Sequence, residues 1–196
     1  INVLLLGRGG EGHDGPYLTD TIILASVNPE TKRVGLLTIP RDLVANIPGY
    51  GYRKINNANA FGQAAGGDRK GLELARETVG KTFDVPVHYV VRLDFEGFDE
   101  LIDAVGGITV NVERAFTDSQ YPLEDGTGKT TSLHFDAGSQ HMNGQTALRF
   151  VRSRHGSNGE ASDFARSRRQ EKVLLALRDK VLGGGTLISP QHIASL

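Results

Sequence analysis

The sequence contains no cysteine. That absence removes thiolate nucleophiles, Cys-ligated zinc and structural disulfides, and it is compatible with either side of a membrane. No apolar run is long enough to span a bilayer, and no signal peptide is recognisable. An excess of one charge is lacking too: 22 Lys and Arg against 23 Asp and Glu leave a net charge of −1. The chain as a whole therefore gives no electrostatic case for nucleic acid, and no nucleic-acid partner is expected. An anion site must come from local clustering of basic residues. The six histidines, at positions 13, 88, 134, 141, 155 and 192, include no i,i+4 pair, so no zinc site is expected. A Gly-x-Ser-x-Gly elbow is missing, so a hydrolase triad has no support.

Among what is present, 38% hydrophobic and 23% charged residues over 196 positions fit a soluble globular chain, read here as a single domain over 1–196. The chain opens on Ile1 with no initiator Met. It reads as a piece of a longer protein whose upstream membrane anchor is missing. Ile1 to Leu6 is a near-continuous apolar run ended by Gly7, which suits a strand buried on both faces. Residues Thr21 to Val27 and Arg33 to Ile39 are strands separated by turn-forming Asn28-Pro29-Glu30-Thr31-Lys32, close enough to form a hairpin. Leu72, Leu74, Ala75 and Val79 predict a helix over 69–80. A strand follows over 87–95, then a helix carrying Phe98, Leu101, Ile102 and Val105, then a short strand over 108–112. Residues 113–140 read as polar and irregular. A short helix is expected from Asn143, and a long one from Ser162 to Leu182, stopped by Gly183. Alternating strands and helices, interrupted by one hairpin, predict an α/β fold: a central mixed sheet flanked by helices in three α/β/α layers.

The strongest local feature is basic. Arg149, Arg152 and Arg154 close one predicted helix, and Arg166, Arg168, Arg169 and Lys172 open the next. Arginines near a helix N-terminus oppose the dipole, which an anion between them would relieve. Guanidinium forks match phosphate bidentately. Pairing with Asp163, Glu160 and Glu171 on a solvated face explains the same spacing, and spacing alone leaves both readings open. A second constellation is Thr38-Ile39-Pro40-Arg41-Asp42, where Pro40 ends a strand and fixes the direction in which Arg41 emerges. An ordinary turn with a surface Arg–Asp pair is the simpler account of it. Asp20, in Thr19-Asp20-Thr21, caps a turn or ligates a cation. Lys54, with Asn56, Asn57 and Asn59, is either a phosphate or sugar contact or a polar loop. Gly7 to Gly15 and Gly128-Lys129-Thr130 imitate nucleotide loops, but neither meets the required spacing.

Taken in order, these pieces resemble the LytR–CpsA–Psr family. The resemblance is carried by the opening strand into Gly7, Thr19-Asp20-Thr21-Ile22, Ile39-Pro40-Arg41-Asp42 and Lys54-Ile55-Asn56. It continues through Asp103-Ala104-Val105-Gly106-Gly107, Gly144-Gln145-Thr146-Ala147-Leu148 and Arg152-Ser153-Arg154. It closes on Asp163-Phe164-Ala165-Arg166 with Arg168-Arg169-Gln170. It implies a hydrophobic pocket for a polyprenyl tail, tethering by an upstream helix at the extracytoplasmic face of a bacterial cell membrane, and Mg²⁺. The implied activity is a phosphotransferase that moves a phosphate-linked glycan from a polyprenyl diphosphate carrier to a peptidoglycan acceptor. Arg41, Arg152, Arg154, Arg166 and Arg169 are the implied diphosphate ligands, supported by Gln170 and Lys54. Asp20 is the implied metal ligand or essential acid. The family's usual Gly-x-Asp after the first strand is here Gly7-Arg8-Gly9, so Asp14 or Glu11 would have to stand in as the metal carboxylate, or Arg8 would replace the cation's charge. A lipid-diphosphate hydrolase and a non-catalytic polyprenyl phosphate binding module are the alternative functions.

Overall fold

The computed structural model describes residues 1–10, 15–31, 33–123 and 128–183. The chain forms two compact units, Ile1–Phe95 and Glu96–Leu196. It belongs to the α/β class expected from the alternation of strands and helices. None of its described helices is long and apolar enough to cross a membrane.

In the first unit, β1 (Asn2–Arg8) lies inside a four-stranded mixed sheet. It pairs antiparallel with β2 (Thr19–Asn28) and parallel with β6 (Tyr89–Leu93), while β3 (Arg33–Thr38) pairs antiparallel with β2, giving the order β3-β2-β1-β6. The β2–β3 hairpin matches the sequence reading. Side chains alternate along a strand, so Leu4, Leu6, Ile22 and Leu24 fall on one face and build the core with Ile39, Ile47, Ile55, Ala75 and Val79. A small hairpin, β4 (Val44–Ile47) and β5 (Gly51–Lys54), follows the sheet's first three strands.

Helix α1 (Asn57–Phe83) starts twelve positions before the predicted 69–80. Its two limbs meet at Gly66 and Gly67, and Gly67 has φ +78, open to glycine at no steric cost. The limbs close tightly, for a Cβ on Gly62 would fall 2.3 Å from the carbonyl oxygen of Lys70. A glycine pair at the corner erases the apolar period there, which hid the first limb from the pattern.

The second unit holds α2 (Phe95–Ala104) and β7 (Ile108–Val112), which pairs antiparallel with β10 (Gly138–Met142). A separate hairpin joins β8 (Phe116–Pro122) to β9 (Thr130–Phe135). The described residues of 113–140 are thus largely strand, not irregular. Helix α3 (Gly144–Arg152) is capped by Asn143, whose side chain accepts the Thr146 N–H at 2.9 Å. A Cβ on Gly144 would sit 2.2 Å from the Asp99 carbonyl oxygen, so the start of α3 lies against α2 as only glycine allows. Helix α4 (Asp163–Gly183) begins where the sequence placed it, with Ser162 Oγ accepting the Ala165 N–H at 3.1 Å. Phe116, Phe135 and Phe150 pack as a ring trio with centroids 5.0–6.0 Å apart, in a core shared with Ile102, Val110, Met142 and Val173.

Candidate functional site

Pro40 stops β3, and the backbone that follows is stitched on both sides. Ile39 N–H donates to Ile22 O at 2.8 Å, Ile55 N–H to Leu43 O at 2.8 Å, and Asn56 N–H to Arg41 O at 3.3 Å. This fixes Arg41 above β2 and brings the end of β5 alongside. The outcome is a line of alternating charges. Lys54 Nζ lies 2.6 Å from Asp42, Arg41 Nε 3.6 Å from Asp42, and Arg41 Nη1 2.6 Å from Asp20. Hydrogen bonding from Lys54, opposed by burial and aided by Arg41, holds the Asp42 carboxyl below the usual carboxylate range. Arg41 is one-third exposed. The structure therefore brings Arg41, Asp20 and Lys54 together, with Asp42 between them.

At the end of β1 sits a second cluster. Arg92 donates to Asp68 at 2.6 Å and to Asn59 at 3.1 Å. Arg8 approaches Asp94 at 3.8 Å and Asp68 at 4.0 Å, with its guanidinium 5.6 Å from the Tyr17 ring centroid. Arg8 thus stands between two carboxylates. Asn59, for which the sequence left open a phosphate or sugar contact or a polar loop, is buried and donates to Tyr17 O at 2.7 Å, a structural tie. Asp14 and Glu11 lie outside the described residues. Among those described, no group of three or more His, Cys, Asp or Glu side chains is arranged to hold a metal ion.

In the second unit the arginine segment leaves the end of α3. Its turn, Ser153-Arg154-His155, is held by the buried carboxylate of Asp118. Oδ2 accepts the Ser153 hydroxyl at 2.6 Å, the Arg154 N–H at 3.0 Å and the His155 N–H at 3.1 Å, and Oδ1 accepts the Gln120 N–H at 3.0 Å. Burial pushes the Asp118 carboxyl up, but these hydrogen bonds outweigh it and leave it below the usual range. Arg169 secures the same turn from the other side. Its guanidinium donates to the carbonyls of Phe150, Ser153 and Glu160 and pairs with the Glu160 carboxylate at 2.6 Å.

Arg169 is only 2% exposed. The resemblance names it with the diphosphate ligands, but what it grips here is the backbone beneath Arg152 and Arg154. Arg154 is exposed and Arg152 half-buried, its guanidinium 5.7 Å from the Tyr121 ring centroid. Arg166 is mostly buried and pairs with Asp163 at 3.0 Å, one turn before the half-buried Gln170. Asp118 and Tyr121 were not singled out from the sequence, whereas Glu160 was offered there as a partner of the arginines and pairs with Arg169. For Arg169 a signal was there: with Ala165 and Val173, both buried, it forms an i,i+4,i+8 stripe.

The profile of the LytR_cpsA_psr family matches residues 1–195. A polyisoprenyl-teichoic acid–peptidoglycan teichoic acid transferase TagU of Oceanobacillus iheyensis is 40% identical over all of this chain and 56% of its own length. A structure of the LytR-CPS2A-psr family protein YwtF (TagT) with bound octaprenyl pyrophosphate lipid is 32% identical over 93% of this chain and 65% of that one, with a TM-score of 0.68. TagT bound to LIIa-WTA is 33% identical over 92% and 63%, with a TM-score of 0.69. The chain spans about half the length of the curated relatives it matches.

Proposed function

Because this chain belongs to the LytR_cpsA_psr family, we propose that it is the catalytic portion of a phosphotransferase that moves a phosphate-linked glycan from a polyprenyl diphosphate carrier to peptidoglycan. Carrier and wall meet at the extracytoplasmic face of a bacterial membrane, so the enzyme works there, tethered by a segment upstream of Ile1.

One observation carries the proposal: Arg41, with Asp20 and Lys54, forms a partly exposed line of charge on a backbone fixed from both sides. TagT, 32% identical, binds octaprenyl pyrophosphate. Phosphoryl transfer asks mainly for positioning and charge neutralisation, not for covalent chemistry by the protein. Each unit offers cations for a diphosphate: in the first Arg41 neutralises it, with Lys54 in support and Asp20 to orient it, and in the second Arg152, Arg154 and Arg166 neutralise it, with Gln170 in support. An acceptor hydroxyl oxygen forms a bond to the glycan-side phosphorus. The bridging P–O bond breaks, its electron pair leaves with polyprenyl phosphate, and the hydroxyl proton is released. Charge gathering on the leaving oxygen is what the guanidinium groups stabilise.

Mg²⁺ usually takes one or two carboxylates and completes its shell with waters and substrate phosphates. Asp20 fits that role as a single protein anchor, where the cation would add charge neutralisation at the diphosphate.

The test is an assay offering lipid-linked glycan with peptidoglycan, and separately with water alone. Glycan attached to peptidoglycan, reduced about tenfold to a thousandfold by Arg41→Ala, is the expected result. Free glycan phosphate alone would make the enzyme a hydrolase, and binding without turnover would make it a lipid-binding module.

A further inference from the structure

Asp118 and Tyr121 lie three positions apart on β8, a spacing that puts side chains on opposite faces of a regular strand. Both are nevertheless buried, at 0% and 4% exposure, while Ser119 and Gln120 between them are exposed. The pairing with β9 explains this. Asp118 lies opposite Leu133 and Tyr121 opposite Thr131, so β8 advances by one residue more than its partner. The extra residue is a bulge, the device by which strands re-aim side chains beside functional sites. Here it turns two functional groups inward from one short strand.

What those groups touch is the arginine segment. Asp118 takes the N–H of Arg154 itself, with those of its neighbours. The Tyr121 ring lies against the guanidinium of Arg152 at 5.7 Å. The Tyr121 hydroxyl and Asp99 Oδ1 are both buried without a hydrogen-bond partner. A buried hydroxyl without a partner is unfavourable, so hydrogen bonding does not account for Tyr121 here and its contact with the arginine is made by the ring. Arg149, Arg152, Asp99 and Asp118 are the charged groups facing Tyr121.

We infer that the β8 bulge is a positioning device for the arginine segment, with Asp118 setting the backbone of Arg154 and Tyr121 setting the guanidinium of Arg152. This rests on the assignment of Arg152 and Arg154 as diphosphate ligands. Asp118 and Tyr121 touch no substrate and act through the arginines. They hold in advance an arrangement that substrate binding would otherwise have to order, and small misplacements of such groups cost rate steeply.

The experiment uses the full-length enzyme in the transfer assay, with kcat, KM for the lipid-linked glycan and thermal unfolding measured on Tyr121→Leu, Tyr121→Phe, Arg152→Ala and the Tyr121→Leu/Arg152→Ala double variant. Tyr121→Leu is expected to lower kcat by about tenfold or more, with KM changed less. Tyr121→Phe keeps the ring and should recover to within about twofold of wild type. The double variant should be no slower than Arg152→Ala alone, because Tyr121 then has nothing left to position. A purely structural role would make the two losses multiply. Asp118→Asn replaces one accepting oxygen by an amide donor and removes the charge, so at the least the Gln120 N–H meets a donor, and kcat should also fall. Should that variant fail to fold, Ser153→Ala, which removes one hydrogen bond of the set, should show a smaller loss in the same direction.

A folded Tyr121→Leu enzyme with wild-type kcat overturns the inference, as does a multiplicative double variant. An Arg152→Ala enzyme with wild-type activity instead overturns the assignment of Arg152, and with it the diphosphate site as proposed.

Discussion

Arg41 Nη1 lies 2.6 Å from Asp20 Oδ1, so one of the proposed diphosphate ligands is paired with the proposed metal anchor. Each neutralises the other while no substrate is bound. A diphosphate arriving at Arg41 meets the Asp20 charge, and a cation at Asp20 would relieve that repulsion. Family resemblance to lipid-diphosphate enzymes thus becomes a statement about two side chains.

Replacing Asp20 with Asn keeps the shape and removes the charge. In the presence of a chelator, Asp20→Asn should bind polyprenyl diphosphate about twofold to fivefold more tightly than wild type, the scale of one partly exposed ion pair. Added Mg²⁺ should then improve binding less than it does for wild type. Titration of the lipid with and without the metal reads both effects. Weaker binding by Asp20→Asn in chelator would contradict the pairing as the controlling contact.

Arg169 and Glu160 form a buried pair, 3% and 15% exposed at 2.6 Å. Burial holds the Arg169 pKa below its ordinary value, and Glu160 offsets this only in part. Removing one partner of such a pair costs about 3–5 kcal/mol, because the other is left uncompensated. Arg169→Met should lose about that much in denaturant unfolding, and adding Glu160→Gln should recover part of it. If Arg169 were instead a direct diphosphate ligand, Arg169→Met would unfold like wild type and fail only in substrate binding.

Asp99 sets a pH dependence of the opposite sign to Asp118. Burial, followed by the nearby Asp103 charge, raises the Asp99 pKa, and Arg152 and Arg149 offset this in part. A carboxyl raised in the folded state contributes stability that is present below its unfolded pKa, about 3.9, and lost as pH rises through the folded value. Asp99→Asn mimics the protonated form, so it should raise the unfolding temperature at pH 7, with the gain vanishing below about pH 4. Asp118, held low, contributes stability above the usual carboxylate range and loses it as pH falls. A fall in unfolding temperature for Asp99→Asn at pH 7 would show that the ionised form is the favoured one.

Much of this was legible in the sequence where one period held without interruption. The opening strand, the β2–β3 hairpin, α2 and α4 followed from runs of Leu, Ile and Val, and α4 begins at Asp163, one position after the expected Ser162. The pattern failed where a single residue broke it. Gly66 and Gly67 fold α1 back on itself, and the bulge between Asp118 and Tyr121 shifts the alternation in β8. The arginines announced themselves by clustering, but which of them face inward did not follow from charge. Asp118 carried no signal at all, since one acidic residue in a polar stretch reads as surface until the register of its strand is known.

That register has a consequence for the length of the chain. Deleting one residue at Ser119 or Gln120 would leave Tyr121 two places after Asp118, still inward on a straightened strand. Deleting both would turn Tyr121 out to solvent. Relatives one residue shorter here should therefore keep both side chains inward by giving up the bulge, whereas relatives two residues shorter should not, so that the bulge is this hairpin's allowance for losing a single residue.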